Sequence, residues 1–304
     1  MRIANLRAPL AFAAVALSAT AIAACGSDSG SDTTSTSDTA SITATKDDAI
    51  AKQVPAKYQD AGTLSVASDA SYPPMEFIKE GTNEIIGADP DLATALGQVM
   101  GVKLELSNVP FDSILAGIEA DKYDLGMSSF TDTKEREQQV DFVTYLTAGT
   151  SFFEKASAPS GVKSLADLCG KKVAVQKGTT QADDAAAQSK KCVKDGKPKV
   201  DLLVFPDQNG ANNALISGRA QVGMADSPVA AYQVQKTKGE LKLTGEDYGE
   251  APYGIAIPKD SGLAEPIQAA LQNLIDGGQY DAILKKWGLE NGAISDPQIN
   301  GAID

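Results

Sequence analysis

The chain has 304 residues, 42% of them hydrophobic and 22% charged, enough for one large domain or two of ordinary size with buried cores. Its 40 acidic against 27 basic residues give a formal charge of −13, which argues against a nucleic-acid backbone as partner. There is no histidine, so any acid–base catalyst would have to be a carboxylate, a lysine or a tyrosine.

The first 24 residues read as an export signal. Arg2 and Arg7 supply a positive start, Leu10 to Ala24 is a short apolar stretch, and small residues precede Cys25. Ile22-Ala23-Ala24-Cys25-Gly26 resembles the bacterial lipobox, whose cysteine is lipidated and becomes the new N-terminus; an ordinary signal peptide with a chance cysteine is the alternative. Residues 25–49 would then be the lipidated cysteine and a flexible tether, since 26–45 are almost wholly Gly, Ser, Thr, Asp and Ala and cannot bury a core. Acyl chains, not charge, would hold so acidic a protein to a membrane. The fold is predicted to start near Ile50.

Leu64 to Ser68 predicts a strand that runs into Asp69-Ala70-Ser71-Tyr72-Pro73-Pro74, where the prolines end regular structure and leave Asp69 and Tyr72 on a loop. Asp89-Pro90-Asp91 supplies an N-cap, a first-turn proline and an acidic first turn, and Leu92, Leu96 and Val99 follow at helical spacing. A strand over Lys103 to Val109 and a helix opened by Phe111-Asp112-Ser113 come next. Asp124 to Met127 reads as a buried strand that opens into Ser128, Ser129 and Thr131, with Arg136 where a helix should begin. Hydroxyls and a guanidinium thus converge at a strand's carboxyl end, where ligands bind in open α/β sheets, and a planar guanidinium matches a carboxylate with two parallel hydrogen bonds. The stretch reads as a carboxylate clamp. Its bland alternative is a helix capped by Thr131 or Asp132 with a solvated first turn.

A second strand–helix series follows Phe152. Lys172 to Gln176 predicts a strand leading to Gly178-Thr179-Thr180-Gln181 and an Ala-rich helix; Val200 to Phe205 leads to a helix through Ala214, Leu215 and Ile216; Gln221 to Ala225 ends at Asp226. Tyr253 to Pro258 reads as a further strand, followed by helices over Leu263 to Ile275 and Tyr280 to Trp287. The pattern predicts two doubly wound α/β lobes, with 145–152 and 245–254 as the crossings between them. Lobe 1 is then discontinuous, 50–148 plus 252–304, and lobe 2 is 149–251, with a cleft that closes about a two-stranded hinge. Apart from Cys25, Cys169 and Cys192 form an even pair in an exported chain and predict a disulfide contributing about 3 kcal/mol, two buried thiols being the alternative.

Ser68-Asp69-Ala70-Ser71-Tyr72-Pro73-Pro74, the stretch from Ser128 to Arg136, Gly178-Thr179-Thr180-Gln181, Ala225-Asp226 and Pro252-Tyr253-Gly254-Ile255-Ala256 together resemble the family 3 extracellular solute-binding proteins, the polar amino-acid receptors of ABC importers. The resemblance covers about residues 58–290 in order and implies a periplasmic-binding-protein type II fold. It puts the ligand α-carboxylate on Arg136 with Thr131 and Thr180, and the α-ammonium on Asp226 with support near Ser129; Ser128 and Thr179 fall among the ligand-binding positions as well. Tyr72 and Phe111 match the aromatic walls around the ligand side chain, and Asp69 and Gln176 the positions that read its polar end. The implied ligand is a polar or basic L-amino acid, of the arginine, ornithine and lysine class or glutamine, delivered by a monomer to permease subunits with a separate ATPase. No cofactor, metal or nucleotide site is expected. The other readings are a ligand sensor acting through a membrane partner, and an enzyme like the cyclohexadienyl dehydratase that shares the fold.

Overall fold

The computed structural model of the protein describes residues 42–303; the export signal, the lipobox with Cys25 and the first part of the expected tether lie outside the described residues. The rest of that tether is packed, and the fold starts earlier than Ile50. Ile42 and Ala44, apolar exceptions in a polar stretch, lie against the core, and the Ala44 N–H donates to Gln98 Oε1 at 2.6 Å.

Helices α1 (Asp48–Ala51) and α2 (Ala56–Ala61) lead into strand β1 (Thr63–Ser68). A small antiparallel sheet follows, β2 (Ser71–Tyr72), β3 (Glu76–Ile78) and β4 (Ile85–Ile86), where the sequence predicts only a loop. Next come α3 (Ala88–Met100), β5 (Lys103–Asn108), α4 (Ile114–Glu119), β6 (Leu125–Thr131) and the long strand β7 (Val140–Lys155). The second series is β8 (Lys172–Gln176), α5 (Thr180–Lys194), β9 (Asp201–Phe205), α6 (Gln208–Ile216), β10 (Val222–Asp226) and α7 (Ser227–Lys236). A second long strand, β11 (Leu241–Pro258), then precedes α8 (Ala264–Asp276) and α9 (Gln279–Trp287).

The eight main strands lie in the order β5-β1-β6-β11-β7-β10-β8-β9. β5, β1 and β6 are parallel to one another, as are β10, β8 and β9, and the antiparallel pair of β7 and β11 separates the two trios. That pair runs from Leu241 opposite Lys155 to Pro258 opposite Val140, with register shifts near Thr244, Tyr248 and Tyr253. β6 pairs with one end of it, at Tyr253 to Ala256, and β10 with the other, at Thr150 to Phe153. Two doubly wound α/β lobes therefore share one ribbon. Helices cover the sheet on both sides, which is why the inner parallel strands β6, β8 and β10 are almost continuously buried, β10 over its whole length, while the edge strands β5 and β9 are not. α8 alone sinks Ile267, Leu271 and Leu274 fully, each worth about 1.5–3 kcal/mol.

Two helix starts differ from expectation. α3 begins at Ala88 with Gly87 as N-cap, so Asp89 is not the cap but a first-turn residue turned inward. Gly87 has φ 140°, and a Cβ there would fall 2.0 Å from Met75 O; only glycine lets the chain enter the helix at that point. Arg136 opens no helix. Arg136–Gln138 is a single 3₁₀ turn, its first N–H received by Thr133 Oγ1 at 3.2 Å.

Candidate functional site

The strand ends that face each other across the two lobes carry every ligand-contact position singled out in the sequence. Asp69 follows β1, Tyr72 is in β2, Phe111 opens the 3₁₀ turn before α4, and Ser128, Ser129 and Thr131 lie on β6 ahead of Arg136. From the other lobe come Gln176 at the end of β8, Thr179 and Thr180 at the start of α5, and Asp226 at the end of β10. All line one narrow cavity between the lobes, with two residues the sequence reading missed, Glu76 and Gln181. Gln181 lay within the quoted Gly178-Thr179-Thr180-Gln181 run. Glu76 had a fainter signal, an acid between Met75 and Phe77.

Arg136 is half-buried, with its guanidinium in the cavity, 5.5 and 5.7 Å from the ring centroids of Phe130 and Phe111. Nη1 donates to Thr131 O at 2.8 Å and Nη2 to Gly178 O at 3.0 Å, so two of its five N–H groups are held by main-chain carbonyls. Burial pulls its pKa down, opposed first by Asp226 and Asp183, and it stays a cation. The N-terminus of the 15-residue helix α5 opens onto the same cavity through Thr180 and Gln181. Thr179 is its N-cap: the hydroxyl accepts from the Ala182 N–H at 3.2 Å and donates to Gln176 O at 2.8 Å. A guanidinium fork and a helix N-terminus together make an anion grip.

Asp226 is the opposite pole. It is buried, its Oδ2 accepting from the Tyr72 hydroxyl at 2.9 Å and its Oδ1 from Gln181 Nε2 at 2.8 Å. Burial pushes its pKa up, while those donors and the Arg136 charge act the other way. Burial, then the Asp226 charge, pushes the Tyr72 phenol well above its ordinary value, so it remains a donor. Asp69 Oδ2 accepts from the Phe111 N–H at 3.0 Å and from Gln176 Nε2 at 2.9 Å; burial raises this acid too. Several of these bonds join the lobes: Tyr72 to Asp226, Gln176 to Asp69, Arg136 to Gly178, and at the rim a 2.7 Å ion pair of Lys177 with Asp112. The structure is closed over the site.

Cys169 and Cys192 form the expected disulfide, with Cα atoms 5.6 Å apart. It ties the turn before β8 to the last turn of α5, the unit that presents Gln176, Thr179 and Thr180.

Residues 64–290 match the bacterial extracellular solute-binding proteins, family 3. Among similar proteins is an arginine-binding protein, ArgT, of Corynebacterium glutamicum, 35% identical over 252 residues covering 83% of this chain and 82% of that one. Among solved structures, an ancestral arginine-binding protein bound to arginine is 38% identical, with TM-score 0.67 over 74% of this chain and 98% of that one. The amino acid ABC transporter substrate-binding protein AbpA of Streptococcus pneumoniae, bound to L-arginine, is 30% identical, with TM-score 0.68 over 76% of this chain and 96% of that one.

Proposed function

The chain belongs to family 3 of the bacterial extracellular solute-binding proteins, and on that premise we propose that it is an extracytoplasmic receptor that takes a polar or basic L-amino acid into its interlobe cleft and hands it to an ABC importer. The observation that carries this reading is the pairing in one closed cavity of a guanidinium, Arg136, with a buried carboxylate, Asp226, between the aromatic side chains of Tyr72 and Phe111. Opposite charges at fixed places select a zwitterion and its direction. The α-carboxylate takes the place of main-chain carbonyls on Arg136, with Thr131, Thr180 and the α5 N–H groups beside it. The α-ammonium goes to Asp226, with Ser128 and Ser129 near, and the side chain runs between the rings toward Asp69 and Gln176 and the neighbouring Glu76. Ser128 Oγ links Glu76 to Asp69, accepting from the Asp69 N–H at 2.9 Å and donating to Glu76 Oε1 at 3.0 Å. The arginine-binding relatives favour the arginine class of ligand.

The first lobe, 50–148 with 252–304, captures the amino acid through Arg136; the second, 149–251, closes with Thr179, Thr180 and Asp226. Only a higher affinity for the closed form lets the ligand drive that closure, and permease subunits above a separate ATPase read the closed surface. Cys25 carries the lipid that holds the exported protein, as a monomer, to the outer face of the cell membrane. No helix among the described residues is long and apolar enough to cross a membrane itself. The protein binds without turnover: Asp69 and Asp226, the acids a catalyst would use, are each already held by two or more donors.

A thermal-shift screen of the protein against the amino acids with ornithine and citrulline tests the reading, since a ligand at 1,000 times its Kd adds about 4 kcal/mol. A rise confined to arginine and its relatives is expected. No rise before or after unfolding and refolding to remove a carried ligand would overturn it.

A further inference from the structure

The cavity is floored by an acid that its basic side chain does not neutralise. Glu76 opens β3 and lines the cavity, and Asp89, in the first turn of α3, stands behind it; both are fully buried. Ser129 reaches both, its hydroxyl donating to Glu76 Oε2 at 3.1 Å and its N–H to Asp89 Oδ2 at 3.2 Å. Its φ of 52° is a left-handed conformation that side chains other than glycine seldom adopt, and it turns both donors toward the two acids. Ser128 Oγ donates to Glu76 Oε1 at 3.0 Å, and the Tyr145 hydroxyl lies 2.9 and 3.1 Å from the two Asp89 oxygens.

The titratable groups facing the pair are Tyr72 from β2 and Tyr145 from β7; beyond them the cavity holds Asp69, Asp226 and Arg136. Neither Glu76 nor Asp89 joins any ion pair among the described residues, and Arg136 is held at Thr131 and Gly178. Two neighbouring carboxyl groups in a dry site do not both ionise without a cation, so they hold a proton between them.

We propose that Glu76 and Asp89 are a proton-exchanging cation subsite, in which the guanidinium or ammonium at the end of a ligand side chain takes the place of the shared proton. The inference rests on the amino-acid reading of the cavity. The O–H bond of the shared proton breaks, the proton passes to solvent or buffer, and the incoming cation balances the carboxylate left behind. A ligand of the same shape with an uncharged end releases none. Burial, and next the Asp89 charge, pushes Glu76 well above the carboxylate range, and burial raises Asp89 to about 7, so a proton is there to be released at neutral pH.

Calorimetric titration with L-arginine in phosphate and in Tris, buffers of different ionisation heat, reads the released proton directly. The arginine heat is expected to differ between the buffers by close to one buffer proton, and arginine affinity to rise with pH by up to about tenfold per unit through the neutral range. L-citrulline is expected to show neither effect; Glu76→Gln, or Asp89→Asn should that variant fail to fold, is expected to abolish both for arginine. Equal arginine heats in the two buffers, or a citrulline release equal to that of arginine, would overturn the subsite while leaving the receptor reading intact. If no amino acid binds at all, it is the receptor reading that falls, and the subsite with it.

Discussion

Arg136 is the side chain on which most of the proposed affinity should hang, because a bidentate guanidinium–carboxylate pair replaces its two main-chain contacts. At about 1.5–3 kcal/mol for each charge-assisted bond, Arg136→Ala should weaken arginine binding by roughly a hundredfold or more, with unchanged melting of the unliganded protein. Arg136→Lys keeps the charge without the fork and should recover only part; calorimetry on the two variants would contradict the clamp if either bound like the parent. Asp226→Asn should cost a similar factor by removing the charge opposite the ammonium. Both poles were legible in the sequence because charged side chains at the ends of buried strands stand out from their surroundings. Glu76 was not, since a lone acid among apolar residues does not announce that a second acid, Asp89, will fold against it. Asp89 was misread for the same reason: the Asp-Pro pair is a sound helix-start signal, and only the crowding at Gly87 shows that the helix has already begun.

The element that positions the second lobe's half of the site is β8 with α5, and the Cys169–Cys192 bridge clamps its two far ends together. Replacing both cysteines by alanine should lower unfolding stability by about 3 kcal/mol through the restored freedom of the unfolded loop, read as a lower midpoint in urea. An unchanged midpoint would mean that the local packing, in which Gln188 Nε2 approaches both sulfurs, already fixes the loop. The inner parallel strands could be read from sequence because burial on both faces leaves nearly continuous apolar or small-residue runs, as in β8 and β10. β2, β3 and β4 could not: each is two or three residues long, below the length at which an alternating pattern shows. The crossings at 145–152 and 245–254 are expected from their Gly, Thr and Pro content; both segments lie within long strands that take their order from pairing with each other.

Closure of the whole molecule brings backbone against backbone at Gly178. Its φ is 78°, and a Cβ there would meet the Asp112 Cβ at 3.0 Å and Cα at 3.2 Å across the cleft. Gly178→Ala should therefore disfavour the closed form and weaken ligand binding several-fold, with a larger radius of gyration in X-ray scattering; a variant that closes normally would show that Asp112 can move aside. The same burial that shapes the cleft sets the pH dependence of stability. Burial raises Asp89 to about 7 and Asp132, with the Glu137 charge second, to about 7, and it raises Asp69 and Asp226 as well. The folded state then binds more protons than the unfolded one above the ordinary aspartate pKa, so these groups make stability fall as pH rises from about 4 through 7. Glu154, held down despite burial by Ser160 and Lys242, and Asp167, held down by the Lys163 N–H and Ser164, act oppositely, and their contribution is lost on acidification below about pH 4. Melting temperature should peak at about pH 5 and decline toward pH 8, and Asp89→Asn should flatten the decline. A melting temperature that climbs steadily to pH 8 would contradict the assignment of these buried acids.

The ribbon of β7 and β11 has a mechanical consequence. Ile42 lies against the core beside α3, and Ile299 bridges Val143 near the start of β7, so both described ends of the chain are fastened to the lobe that carries Arg136. Tension applied between those ends runs through that lobe alone. The lobe with Gln176 and Asp226 hangs beside the load path as a side branch, joined by two adjoining strands. The lobe that carries Arg136 is the one under load, and the lobe with Gln176 and Asp226 bears none.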